Sequence, residues 1–456
     1  MSSYPCAVFP DEIDAFVGSI RPFQVEDIGS KSWIEQHEVL LKLCQQACIE
    51  ATTKQEEVVK ERLIVEEKIT TLIHELHSVR VWREEVLPRL LALKDPDATF
   101  LLYSVVYNEL NVCSLLETIL YHRTSCEAVG SEALDLIDYC AGRIGQLIGL
   151  LANGYNNRED DPPPEELLNE STSEEVVRMG RNMDFRIGMK CLAISSYLVD
   201  GHHLLPLGAA GRFVRTHDFP CLIAEVLHAK PWLQRNRDGI FEKYRNDCWT
   251  QARGDAVLQV TETEAQTWFC LHRLLFSSEL MNTYEINAYR QREIGKCVGL
   301  MNEQLLDQLP ALIPLKQQLC TLQLSSESVP STGPSLVLLE ELAMIRERIL
   351  KVAQRTGWGV IIEKQRKIFL DLDENEVTEI AKRIGAAYNT DLLQQYAEQS
   401  NSSKESEEPI AGQQTCGNCG ALAKKKCSKC LYTFYCTRDC QLQHWPEHKE
   451  LCHQLK

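Results

Sequence analysis

The chain has 456 residues, 44% of them apolar and 25% charged, the composition of a globular protein and not of a fibrous or low-complexity one. No run of about 18 apolar residues occurs, which excludes a membrane-spanning helix. The net charge of −17 argues against nucleic acid or anionic lipid as a partner of the chain as a whole.

The opening MSSYPCAVFPDEIDAF has no basic n-region, so no secretory or mitochondrial leader is expected. Residues 1–31 read as a short lead-in, with a helix opening at Pro10-Asp-Glu-Ile13 and interrupted by Gly18, Pro22 and Gly29. From Ser32 the apolar period is helical: Trp33, Leu40, Leu43 and Ala47 fall near one face. Similar patterns recur at 56–76, 78–93, 99–124, 131–152, 173–199, 217–229, 261–283, 285–309, 335–355 and 374–399. Turn signals separate them, among them Asp95-Pro96, Pro162-Pro-Pro164, Gly201, Gly208-Ala-Ala-Gly211, Pro231 and Gly239. Alternating strand patterns are scarce. Val360-Ile-Ile362 and Ile368-Phe-Leu370 suggest one small hairpin.

These signals predict a mainly α protein: a helical body over residues 1–398, irregular or armadillo-like in shape, although no repeat of fixed period is found. The segment Asn153–Asn169 is polar and acidic and is expected to be mobile. Residues 399–414 (QSNSSKESEEPIAGQQ) carry almost no apolar side chain. They read as a disordered linker, and 415–453 form a separate finger.

Twelve of the 19 cysteines sit singly in apolar stretches of the body, as reduced thiols do in a cytosolic protein. The other seven crowd into the finger with the spacing Cys416-x2-Cys419-x7-Cys427-x2-Cys430-x5-Cys436-x3-Cys440-x7-His448-x3-Cys452. Eight thiolate and imidazole donors make two tetrahedral zinc sites. Each CxxC turns tightly onto one ion, and Gly417 and Gly420 relax the first turn. Thr437 caps a helix on which Cys436 and Cys440 are near neighbours, and His448 and Cys452 share a helix face. Sequential and crossed pairings of these donors both remain open at this level. Four protein donors per ion leave no position for water, so both sites read as structural. Lys424, Lys425, Lys426 and Lys429 offset the charge of the thiolates. A nucleic-acid patch is the rival reading of this run; it is outweighed by a body of net charge −20. His444 and His453 read as packing or surface residues.

This pattern resembles the MYND-type zinc finger. The resemblance implies an interleaved pairing, with Cys416, Cys419, Cys436 and Cys440 on one zinc and Cys427, Cys430, His448 and Cys452 on the other. It also implies a protein-binding module. The finger's own apolar stock is small, and any of it left exposed, Trp445 or Leu442 foremost, would form a groove for a peptide. MYND fingers also occur inserted in lysine methyltransferases, but the body shows neither the strands nor the glycine-bearing cofactor loop of that fold.

Other motifs are weaker. His74 and His77 are three apart and do not form HExxH; they read as polar positions on a helix flank. His202-His203 reads as a loop, and Cys221 and Cys270 as buried thiols. Pro310-Ala-Leu-Ile-Pro314 matches PxLxP, which some MYND fingers bind, and raises the idea of docking in cis; a helix end packed on the body is the plainer reading.

Body segments extend the resemblance: Trp33-Ile-Glu-Gln-His-Glu38, Phe219-Pro-Cys-Leu-Ile-Ala-Glu-Val-Leu227, Pro231-Trp232, Thr267-Trp268, Leu305-Leu-Asp-Gln-Leu-Pro310 and Trp358. With the C-terminal finger they resemble the zinc finger MYND domain-containing protein 10 family. That resemblance implies a non-enzymatic cytoplasmic co-chaperone or adaptor for preassembly of outer and inner axonemal dynein arms of motile cilia and flagella, found also near the centrosome or ciliary base. The implied partners are heat-shock chaperones, an immunophilin co-chaperone, a leucine-rich-repeat factor with a CS domain, and dynein chains as clients, with no direct nucleic acid contact. The alternative is a nuclear corepressor adaptor, against which stands the lack of a basic import cluster beyond Lys424–Lys426.

Overall fold

The computed structural model describes residues 8–53, 56–97, 99–155, 170–236, 239–324, 342–372, 374–387, 416–419, 421, 423, 425–427 and 433–454. The linker 399–414 and the acidic loop from residue 156 onward lie outside the described residues. The chain divides into two units, one of Met1–Pro231 with Glu262–Asn389, the other of Trp232–Thr261 with Thr390–Lys456.

The first unit is helical, as its periodicity predicts. Two long helices, α1 (Thr99–Leu120) and α2 (Thr172–Asp200), pack against each other and against Ala133–Ala152. Thr99–Leu120 is buried around nearly its whole circumference, because helices lie on several sides of it. Thr172–Asp200 starts with a capping box: the Glu174 amide donates to Ser171 Oγ at 3.2 Å, and the Ser171 amide donates to the Glu174 carboxylate at 2.9 Å. Lys31–Thr53 and Lys68–Val81 cover one flank of α1, and Glu262–Phe276 packs on α2 and on Phe219–Ala229. The pattern over 56–76 is broken in two, since Glu67 adopts a left-handed conformation (φ 53°) between Val58–Val65 and Lys68–Val81.

The small hairpin expected at Val360–Ile362 and Ile368–Leu370 is instead one helix, Trp358–Phe369. Ile361, Gln365 and Phe369 are its buried residues, spaced four apart, and this tertiary period overrides the local β-branched preference. Gln365 anchors the helix. It accepts from Trp82 Nε1 at 2.6 Å and donates to the carbonyls of Glu26 and Ile28 at 3.0 and 2.9 Å. Phe369 lies against Gly29 (φ 81°), where any Cβ would come within 2.3 Å of the ring.

Two polar networks are sealed inside this unit. Glu109, fully buried, accepts from Arg83 at 2.8 Å, from Tyr139 Oη at 2.6 Å and from Arg143; Asp184 accepts from Arg83 at 2.7 Å and Arg143 at 3.2 Å. Burial opposes the Glu109 charge, but the two guanidiniums outweigh it and hold the carboxyl at a pKa of about 2. In the second network Trp33 Nε1 and Asn108 Nδ2 both donate to Glu75 Oε1, at 2.8 and 2.9 Å, and His37 Nδ1 donates to Asn108 Oδ1 at 2.8 Å. Here no cation compensates. Burial pushes Glu75 up to about 7 and His37 down to about 4. Trp33 and His37 of the Trp33–Glu38 segment thus belong to a buried network.

The second unit holds strands that the sequence reading missed. β1 (Leu233–Arg235), β2 (Phe241–Arg245) and β3 (Cys248–Ala252) form an antiparallel sheet in the order β1-β2-β3. Asn246 and Asp247, both at positive φ (49° and 60°), close the β2–β3 hairpin in the handedness that two-residue turns favour. Tyr244 and Trp249, cross-strand partners, meet edge to face at 5.2 Å.

Two predictions follow from the buried networks. Glu109→Ala leaves two buried guanidiniums short of their shared carboxylate and is expected to cost about 3–5 kcal/mol in urea unfolding, whereas an exposed substitution such as Glu347→Ala costs under about 0.5 kcal/mol. Glu75 retains in the folded state a proton that the unfolded chain releases. Its contribution therefore favours folding below the unfolded pKa of about 4.5 and shrinks as pH rises to about 7. Relative to Glu75→Gln, the native protein should lose stability over that window; a pH-independent difference in urea unfolding would contradict the assignment.

Candidate metal centres and adjoining groove

The finger is built from a short hairpin and one helix. β4 (Lys425–Lys426) pairs antiparallel with β5 (Phe434–Tyr435), and Thr437 Oγ1 accepts from the Cys440 amide at 3.2 Å where the helix Arg438–Gln454 begins. The hairpin and the first turn of the helix bring Cys416, Cys419, Cys436 and Cys440 together, with their sulfurs within 4.8 Å of one another. Cys427, His448 and Cys452 converge in the same way. Cys430 lies outside the described residues. Donors from the two halves of the segment therefore alternate between the two centres: residues 427–430 fall in sequence between the two halves of the first set.

The donor geometry fits zinc. Cys419 and Cys436 sulfurs are 3.5 Å apart, Cys436 and Cys440 3.5 Å, Cys419 and Cys440 3.8 Å, and Cys427 and Cys452 3.9 Å. A disulfide needs about 2.05 Å. Four sulfurs at about 2.3 Å from one ion stand about 3.8 Å from each other along the edges of the tetrahedron. Burial opposes ionisation of the Cys416 thiol, yet the backbone amides of Cys436, Asn418 and Cys419 donate to it and bring its pKa down to about 6. Such amides stabilise a metal-bound thiolate. Two structural zinc ions are what these donor sets hold.

Packing around the second centre is tight. His448, Cys427 and Cys452 are buried, and Thr433 Oγ1 lies 3.3 Å from His448 Nδ1. His444 is not part of either donor set; its Nδ1 meets Tyr435 Oη at 3.0 Å and its ring stacks on His448. The apolar residues of the finger share one cluster with the three-stranded sheet of the same unit: Phe241, Ala252 and Val257 pack in the group that contains Cys416, Ala423, Cys427, Tyr435 and Cys452. Nothing in the finger spacing announces this. The signal available was the aromatic residues Phe241, Tyr244 and Trp249 flanking the turn residues Asn246-Asp247.

Beside the second centre, Lys425, Lys426, Arg438, Gln441, Leu442 and Trp445 line a groove of about 590 Å³. Leu442 is 62% exposed, and Trp445 is half-buried. Lys426 Nζ sits 5.4 Å from the Phe434 ring centroid.

The remaining sequence candidates have structural surroundings. His77 Nε2 donates to the Asp135 carbonyl at 3.1 Å, and His74 Nδ1 lies 3.3 Å from Ser78 Oγ. His202 Nδ1 donates to the Val199 carbonyl at 2.8 Å. Burial pushes the Cys270 thiol up to about 12 and Cys221 up to about 11. Leu312 of the PxLxP segment is 0% exposed; it begins the packing that leads into Ile313–Leu324 and offers the finger no accessible side chain.

Comparison with known proteins agrees with this geometry. The MYND finger family model matches residues 416–452. Over 454 residues, 98% of this chain and 98% of the relative, the sequence is 41% identical to the zinc finger MYND domain-containing protein 10 homolog of Drosophila melanogaster. No solved structure matches the chain.

The centres generate a direct test. Cys440→Ser removes one donor of the first site and should reduce zinc, measured by elemental analysis of the purified chain, from two ions to one or none. The far-ultraviolet helical signal of the body should persist. A variant that retains both ions would refute the donor assignment.

Proposed function

Because this chain belongs to the zinc finger MYND domain-containing protein 10 family, we propose that it is a non-enzymatic co-chaperone or adaptor that works in the cytoplasm on the preassembly of axonemal dynein arms. The dynein chains are its clients. Heat-shock chaperones, an immunophilin co-chaperone and a leucine-rich-repeat factor with a CS domain are its partners. The observation that carries the adaptor reading is the groove beside the second metal centre: an exposed apolar side chain, Leu442, and a half-buried indole, Trp445, on a module shaped by metal. Side chains left uncovered on so small a module serve recognition. Supporting this, the first set supplies four thiolates, the closed coordination of structural zinc, and Cys427, His448 and Cys452 supply three donors of the second.

The body complements the finger. Its long helices present extended surfaces, and two recognition elements on one chain raise the effective concentration of one partner near another. The test is affinity capture from cells making motile cilia, with the full chain, a chain ending at Gln399, and full-length Cys440→Ser. Chaperone and dynein chains should be recovered with the full chain. One subset should be lost with both altered forms. Recovery of chromatin repressor complexes in place of dynein and chaperone chains would favour the nuclear alternative and overturn this reading.

A further inference from the structure

Three exposed cations converge on the groove. Most arginines and lysines of the first unit that lie near a carboxylate are paired: Arg83 and Arg143 with Glu109, Arg212 with Asp138, Arg290 with Asp218, Lys190 with Glu117. The chain carries 65 acidic against 48 basic side chains, so an acidic segment is not drawn to it by net charge and needs a local cluster of cations. Lys425 and Lys426 are exposed on β4, and Arg438 is exposed at the start of the finger helix. Among the described residues no carboxylate lies within ion-pair distance of any of the three. All three line the same groove, together with Leu442 and Trp445. Thiolate charge on the nearby metal centre accounts for some of this positive charge, but exposed ammonium groups on a rim also act outward.

We propose that this groove recognises an acidic peptide segment of a partner protein, one in which an aliphatic side chain is flanked by carboxylates. This deepens, and rests on, the reading of the finger as a protein-recognition module. The aliphatic side chain packs on Leu442 and Trp445. The carboxylates meet Lys425 and Lys426 of the strand and Arg438 of the helix, where the guanidinium offers a two-pronged contact. Charge complementarity selects the occupant. The acidic remainder of the chain repels a competing polyanion of high charge density but not a short segment of a few carboxylates, so nucleic acid is disfavoured.

Fluorescence anisotropy on the zinc-loaded full chain tests this with three labelled dodecapeptides: one with a central Leu flanked by Glu, one with Gln replacing each Glu, and one with Ser replacing the Leu. The acidic peptide with Leu should bind, and each of the other two should bind about tenfold more weakly or worse. Its affinity should fall as salt rises. The double variant Lys425→Glu/Lys426→Glu, and separately Arg438→Glu, should weaken the acidic peptide about tenfold while leaving the Gln peptide unaffected. Leu442→Ala should weaken both peptides that carry Leu. All four positions are exposed and none is a metal donor, so retention of two zinc ions verifies the fold of each variant. Equal binding of the Glu and Gln peptides, with no response to charge reversal, would overturn the proposal while leaving peptide recognition in place. Binding of none of the three would overturn both. Tighter binding of a single-stranded oligonucleotide than of the acidic peptide, at the same salt, would overturn the choice of ligand.

Discussion

Glu109 stands where the longest helices of the first unit meet, and two guanidiniums from different helical segments converge on its carboxylate. Arg83 comes from the widened turn after Lys68–Val81, Arg143 from Ala133–Ala152, and Asp184 on the facing helix takes the second contact of each. A buried charge network of this kind is not a source of much net stability, since desolvation of each ion offsets the attraction. Its effect is on arrangement. Hydrophobic packing alone tolerates sliding of one helix on another, whereas a carboxylate that must satisfy two arginines and a tyrosine allows one register. The apolar helices around it then close on that register.

The finger solves the same problem with metal. Its stock of apolar side chains is too small to order so short a segment. Alternation of donors between two ions fastens the hairpin to the helix at two points, and ligand binding substitutes for core burial. The sheet from residues 233–252 adds the apolar cover that the finger does not supply itself. The body and the finger thus represent two ways of specifying one arrangement, by an ion network inside a large core and by coordination where a core is small.

How much of this was legible in the sequence depends on the range of the interaction responsible. The helices at 131–152 and 173–199 were visible because amphipathic period and caps are local, and that at 99–124 because so long a predominantly apolar stretch bounded by turn signals suits a buried helix. The donor residues were visible because zinc imposes a spacing. The crossed pairing came through family resemblance, since linear order alone admits either solution. Helix Trp358–Phe369 was misread because Val360, Ile361 and Ile362 have a local strand preference, while Gln365 and Phe369 show the four-residue period only when matched to Trp82 and Gly29. The buried partners of Glu109 and Glu75 lie on other helices, so nothing near either residue distinguishes it from a solvent-facing glutamate. The strands at 233–252 were overlooked because Asn246-Asp247 is a weaker turn signal than Asn-Gly.

The shared packing of Phe241 with the metal-binding segment has a temporal consequence. A ribosome delivers residues 232–261 well before it delivers Cys416 to Cys452. At translation rates of about 5–20 residues per second, roughly 10–40 s separate the emergence of the hairpin from that of its cover. During that interval Phe241 has only Leu233, Ala252, Ala256 and Val257 of its cluster to pack on, and the part contributed by the metal-binding segment arrives last. For that interval the cluster exists only in half, and the order of synthesis makes the metal-binding segment the part that closes it.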